Sequence, residues 1–142
     1  MSDDRPAERS EQQHVHVAPL NDAAISALCV LARSLGFECS RVDLEGCFDK
    51  GEFLDRIARA LAFPAWFGRN WDALFDCISD LAWRPAPGYV LVFEHAAALQ
   101  HTEPEVFDTA LAILSDAAVS WQERGIPFRV FVSASAEGGP AP

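Results

Sequence analysis

Positive charge is scarce in this chain. Lys and Arg number 11 against 21 Asp and Glu among 142 residues, a formal net charge of −10. A balance so acidic argues against the phosphate backbone of a nucleic acid as partner and for a basic protein. Long apolar runs are missing too: none approaches the ~20 residues a membrane-spanning helix needs, so neither a span nor a membrane partner is expected. No secretory apolar segment opens the chain, and the four cysteines, Cys29, Cys39, Cys47 and Cys77, contain no CxxC pair. The expectation is reduced thiols in a cytoplasmic protein. No glycine-rich loop is present to cradle a phosphate, and His14 and His16 lack the third ligand that would turn alternate histidines into a metal site. Neither cofactor nor metal is expected.

What is present suits one domain with a real core, since 50% of the residues are apolar, plus some tail. Met1 to Pro19 is polar, charged and punctuated by proline, so residues 1–20 read as a flexible N-terminal arm, dispensable for function; residues 134–142 read as a flexible C-terminal tail. Asn21 followed by Ile25, Leu28, Cys29, Leu31, Ala32 and Leu35, with Gly36 as terminator, predicts an additional helix over 21–36. Ser40 to Leu44 is a short strand candidate. Asp49 with Glu52 three residues on is a capping box for a helix carrying Phe53, Leu54, Ile57, Ala58 and Leu61, which Pro64 ends.

The loop and helix from Phe63 to Trp83 carry the most chemistry. Gly68 is free to take positive φ, and Asn70 can accept from the first free amides of a helix beginning near Trp71. At about 100° per residue, Trp71, Leu74, Phe75, Ile78, Leu81 and Ala82 share a core-facing side. Asp72, Asp76, Ser79 and Trp83 form another face, with Phe75 on its border and Asp80 beyond it. Asp72 suits the first turn of any helix. Asp76 does not have that excuse: it sits mid-helix, one turn from a like charge, where aspartate is a poor helix former. A solvated acidic face is the bland account of that spacing. Trp66, Phe67, Phe75 and Trp83 around the carboxylates favour the other account, a binding hot spot mixing aromatics with fixed charge.

Downstream, Arg84-Pro85-Ala86-Pro87-Gly88 is a loop feeding Tyr89-Val90-Leu91-Val92-Phe93, an unbroken apolar run of the kind buried on both faces of a parallel sheet. Ala96 to Leu99 suggests a short helix. Thr102 and Glu105 predict a second capping box, for a long helix through Trp121 to Gly125, and Phe128 to Val132 is a last strand. Strands separated by helices give an α/β fold, a small parallel sheet with helices packed on it.

Leu61-Ala62-Phe63-Pro64 followed by Trp66-Phe67-Gly68-Arg69-Asn70-Trp71-Asp72-Ala73-Leu74-Phe75-Asp76-Cys77 resembles the signature of the barstar family, intracellular inhibitors of barnase-like ribonucleases. The resemblance runs over roughly Cys39 to Ser133 and implies about three strands, a barstar-like domain over residues 37–133, and an antitoxin- or immunity-type role without enzymatic activity. It implies that the loop and helix enter a ribonuclease active site as a phosphate mimic, with Asp76 at the centre of the cationic cleft and Asp72 one turn earlier. The implied partner-binding set is Trp66, Phe67, Gly68, Asn70, Asp72, Phe75, Asp76, Ser79, Asp80 and Trp83. Trp66 matches a family tyrosine, Phe75 a tryptophan and Ser79 a threonine of the best-known member. Asp80 replaces a glycine there, and Ser120 stands at an auxiliary acidic contact. Trp83 is shifted in register from a family tryptophan, where it either joins the contact or lids the core. Two other readings stand beside this one: an enzyme in which Asp72, Asp76 and Glu94 hold Mg²⁺, and an acidic adaptor of the same fold for a basic partner that is not a ribonuclease.

Overall fold

The computed structural model describes residues 14–134. In chain order they form β1 (Val15–Ala18), α1 (Asp22–Ser34), β2 (Glu38–Asp43), α2 (Lys50–Leu61), α3 (Trp71–Asp80), β3 (Tyr89–Glu94), α4 (Ala97–Thr102), α5 (Pro104–Glu123) and β4 (Phe128–Ser133). The strands make one parallel sheet in the order β1-β4-β3-β2, with Val15 opposite Val130, Tyr89 opposite Phe128 and Cys39 opposite Val90. This is the α/β architecture the sequence predicts, with a fourth strand.

The direction of each crossover decides where the helices lie. From β2 to β3 to β4 the chain steps one way across the sheet, while from β1 to β2 it jumps the full width the other way. Parallel crossovers are right-handed almost without exception, so opposite directions of travel put their helices on opposite faces. On one face α2, α3, α4 and α5 bury Phe53, Ile57, Leu74, Ile78, Leu99, Leu114 and Trp121 against Leu91, Phe93, Phe128 and Val130. On the other, α1 alone buries Ile25, Cys29 and Ala32 against Cys39, Val90 and Val92. Central β3 is covered from both sides, which is why its apolar run shows no alternation.

The fourth strand corrects the expected arm over residues 1–20. Val15 and Val17 pack toward the large core while His16 stacks on Phe131 across the sheet, ring centroids 5.1 Å apart. Ser133 Oγ donates to the Leu20 carbonyl at 2.9 Å, and the Ala134 amide to that of Ala18 at 3.2 Å. Removing residues through Pro19 therefore strips an edge strand and bares the β4 edge. The remainder of the expected arm, residues 1–13, and of the tail, residues 135–142, lie outside the described residues.

The thiols need correction as well. Cys29 and Cys39, on α1 and β2, form a disulfide with Cα atoms 5.6 Å apart, because the crossover that lays α1 across β2 brings together residues with no CxxC spacing. Cys47 and Cys77 are free and buried. The second capping box also fails. Thr102 Oγ1 donates back to the Ala98 carbonyl and so closes α4, while α5 starts on Pro104 with no side-chain cap.

His14, at the head of β1, is buried and accepts Val130 N–H at its carbonyl, 2.8 Å away. Its imidazole is held below the ordinary histidine value by burial first and by the Arg129 charge second, against an opposing hydrogen bond with Gln122. Because the folded value is lowered, the stability that neutral His14 contributes is whole above the ordinary value of about 6.5 and declines as pH falls toward the folded-state value. Acidification should thus loosen β1 first. Hydrogen exchange at the Val130 amide should accelerate below pH ~6 relative to the β2–β3 amides; parallel behaviour of the two pairings would refute it.

Candidate functional site

The aromatic loop begins where α2 stops. The Phe63 and Ala62 amides donate back to the carbonyls of Ala58 and Arg59, at 2.9 and 3.3 Å, with Ala62 left-handed at φ 56°. This paired closure ends the helix before Pro64 does. Trp83 Nε1 donates to the Leu61 carbonyl at 3.0 Å and its ring meets Phe63 edge-on, which in turn meets Phe67 at 4.9 Å. Phe67 and Trp83 are both partly buried against the large core. Of the ten residues expected to bind, these two hold the loop in place. Trp83 takes the lidding role, and Trp66 is left pointing outward, 66% exposed.

The positive φ expected at Gly68 falls instead on Arg69, at 55°. A Cβ on Gly68 would lie 3.3 Å from Asn70 Nδ2, so this glycine supplies room rather than rotation. Arg69 is held by Asp55 through two contacts of 2.7 and 3.2 Å, an arrangement that ties the loop to α2 and neutralises the loop's own cation.

Asn70 caps α3 as expected, its Oδ1 accepting from the Ala73 amide at 2.8 Å. The buried stripe is Leu74, Cys77 and Ile78, continued by Leu81 beyond the helix end. Phe75 and Ala82, expected in that stripe, are exposed. The reason is the left-handed turn at Leu81, φ 47°, which takes Ala82 off the helical path. Phe75 lies too far around the helix from the Leu74–Ile78 line to reach the core. On the outer side Asp72, Asp76 and Asp80 are all exposed and follow one another at i, i+4 and i+8, a single ridge of the helix. Among the described residues none of the three has an ion-pair partner.

The far end of α3 is closed from α5. Trp121 Nε1 donates to the Ile78 carbonyl at 2.9 Å, and the Arg124 guanidinium donates to the Ser79 carbonyl while lying 3.8 Å from the Trp121 ring centroid. Arg124 thereby brings to the helix C-terminus the positive charge that α3's own last turn lacks. Ser79 is half-buried, and its Oγ finds no partner among the described residues. Ser120 lies 3.5 Å from Arg124. The outward set is thus Trp66, Gly68, Asn70, Asp72, Phe75, Asp76 and Asp80, carried by a helix fixed at both ends.

Little here suits catalysis. Burial pushes the Cys77 thiol up, and the charges of Asp76 and Asp80 push the same way, so it stays protonated. Glu94, the third ligand in the Mg²⁺ reading, is bound by Arg41 at 2.6 and 3.0 Å. Asp43, Glu45 and His95 do bring ligand atoms within 4.8 Å of one another at the ends of β2 and β3. His95 Nδ1 and Asp43 Oδ1 lie 2.8 Å apart, and the hydrogen bond between them raises the imidazole above its ordinary value. Sequence reading missed Arg124, Trp121 and Asp55 as the groups that set the site. Only spatial proximity reveals them.

Fold and site together define a small doubly covered α/β domain that displays an acidic helix beside an exposed tryptophan. The chain belongs to the barstar family: the model of that family, described as "Barstar (barnase inhibitor)", matches residues 37–133. No curated protein matches it. The match begins just before β2, so β1 and α1 lie outside the part it covers.

Proposed function

We propose that this chain inhibits a basic, barnase-like ribonuclease by placing the carboxylates of α3 where the substrate's phosphates would bind. The observation that carries the reading is the Asp72–Asp76–Asp80 ridge, three exposed carboxylates in a row with no ion-pair partner among the described residues, beside the 66% exposed Trp66. A ribonuclease cleft concentrates Arg, Lys and His to hold phosphate, and a ridge of fixed carboxylates on a capped helix offers those cations a competing, pre-organised ligand. Asp76 sits at the middle of the ridge and takes the central cation. Asp72 meets the cleft beside Trp66, and Asp80 extends the row beyond it. In this reading the chain has no catalytic activity, needs no cofactor, and contacts neither nucleic acid nor membrane.

A cytoplasmic site of action follows, since an inhibitor of a self-toxic ribonuclease must be where the enzyme would meet cellular RNA. Reductants there attack accessible disulfides, and Cys29 and Cys39 are 2% and 8% exposed, between α1 and the sheet.

Titrating the chain into a barnase-like ribonuclease acting on RNA should abolish cleavage at one chain per enzyme. Association should be steered by the net charge of −10, so raising salt should slow association far more than it alters dissociation. Stopped-flow association that ignores salt between low and physiological ionic strength would overturn the phosphate-mimic mechanism. An RNase activity of the chain itself, lost in chelator and restored by Mg²⁺, would overturn the inhibitor reading altogether.

A further inference from the structure

Helix α1 is apolar on two opposite sides, with Asp22, Ser26 and Arg33 along one edge between them. Its inner side, Ile25, Cys29 and Ala32, is buried on the sheet. The opposite side carries Ala23, Ala27, Val30, Leu31, the C-cap Leu35 and one polar residue, Ser34, whose hydroxyl donates to the Leu31 carbonyl at 2.6 Å; Val30 is 66%, Leu31 60% and Leu35 59% exposed. These are half of the large apolar side chains that the described residues expose, and they sit on one helix. A run of large apolar side chains exposed on one helix face ordinarily marks a surface that something covers. We propose that a second copy of this chain covers it, through a two-fold contact between α1 helices.

Charge supports this occupant. The chain carries −10 overall, so two copies repel wherever acidic surfaces meet, yet this face holds no charge. The charges on α1 turn away from it: Asp22 pairs with Arg41 at 2.8 Å and Arg33 reaches the Cys39 carbonyl at 3.4 Å, both on β2. Size supports it as well. Along the i, i+4 line of this face Ala23 and Ala27 come first and Leu31 and Leu35 last, so an antiparallel two-fold contact sets the small residues of each copy against the large ones of the other. The rest of the chain cannot supply the cover, because residues 1–13 and 135–142 contain no Leu, Ile, Val or aromatic side chain. Nor would a ribonuclease on α3, which lies across the sheet from α1. The disulfide to β2 and packing on β3 fix the helix as a rigid surface. The resulting dimer leaves both acidic ridges facing outward, each free for its own partner.

This inference does not depend on the ribonuclease reading, and its test needs no partner. Sedimentation velocity of the full chain, from low to high micromolar, should show a species of about twice the 15.5 kDa chain mass that dissociates on dilution. Leu31→Glu and Val30→Glu, both at exposed positions, should each yield a monomer with unchanged far-UV circular dichroism. Ala82→Glu, exposed just beyond α3, should leave the dimer intact. A parent chain that stays monomeric throughout would overturn the proposal. So would a dimer that survives both α1 substitutions, or a monomer whose α1 face is taken by a different protein.

Discussion

Asp76→Ala is expected to leave the free protein as stable as the parent or slightly more so, while costing roughly 2–5 kcal/mol or more of binding to the ribonuclease. The binding figure is the usual cost of truncating one partner of a buried, hydrogen-bonded charge pair, the kind of contact that barnase and barstar make with each other. It reflects the partner's buried cations losing their counter-charge. The stability expectation comes from this structure. Asp76 is exposed and has no ion-pair partner among the described residues, so nothing attractive is removed. Alanine gains up to ~0.7 kcal/mol of helix propensity, and two like-charge contacts, with Asp72 and Asp80, are relieved at about 0.2–0.5 kcal/mol each. Asp72→Ala should weaken binding too but lose some stability, because Asp72 lies in the first turn where its charge favours the helix N-terminus. Urea melts of the free variants beside inhibition titrations separate the outcomes. A destabilised Asp76→Ala that still inhibits normally would make this carboxylate structural and remove the centre of the proposed site.

The parts of this molecule legible in its sequence are those set by local rules. Asn70 and Asp49 cap their helices because a side-chain oxygen three residues before a free amide can hardly do otherwise. The apolar run of β3 announces burial on both faces. The β1 strand was equally local in principle: Val15-His16-Val17 alternates with period two, a signal drowned by the polar, proline-bearing residues around it. Once β1 is known, the reversal in crossover direction places α1 on the far face and with it the Cys29–Cys39 pair. That single missed strand therefore accounts for the missed layer and the missed disulfide together. The site divides in the same way. The carboxylate ridge is spacing, hence readable. The inward turn of Phe67 was not, and for Trp83 lidding stood only as one of two readings, since the choice depends on Trp83 finding the Leu61 carbonyl 22 residues away.

Trp121→Ala should be among the most damaging single changes for both stability and presentation of the acidic helix. The ring is 3% exposed, lies parallel to Phe128 at 6.1 Å between centroids and packs against Tyr89 at 4.9 Å. Truncating a tryptophan so placed costs about 3–5 kcal/mol through lost burial and the cavity left behind, a large share of the ~5–15 kcal/mol that usually holds a domain together. The indole also donates to the Ile78 carbonyl, one of the last of α3, which no amide of that helix can reach. Trp121→Phe separates the two roles: much of the ring remains, but a buried carbonyl loses its donor, at about 1–3 kcal/mol. Arg124, whose guanidinium rests on the indole as it caps Ser79, loses its platform in the alanine variant. The last turn of α3 should then fray, and Asp80 and Asp76 with it. Trp121→Ala should accordingly lower the urea midpoint steeply and weaken inhibition even where circular dichroism still reports a folded chain, while Trp121→Phe does both to a smaller degree. If Trp121→Ala melts within about 1 kcal/mol of the parent, below even the usual cost of large-to-small core changes, α5 is not what holds the acidic helix in place.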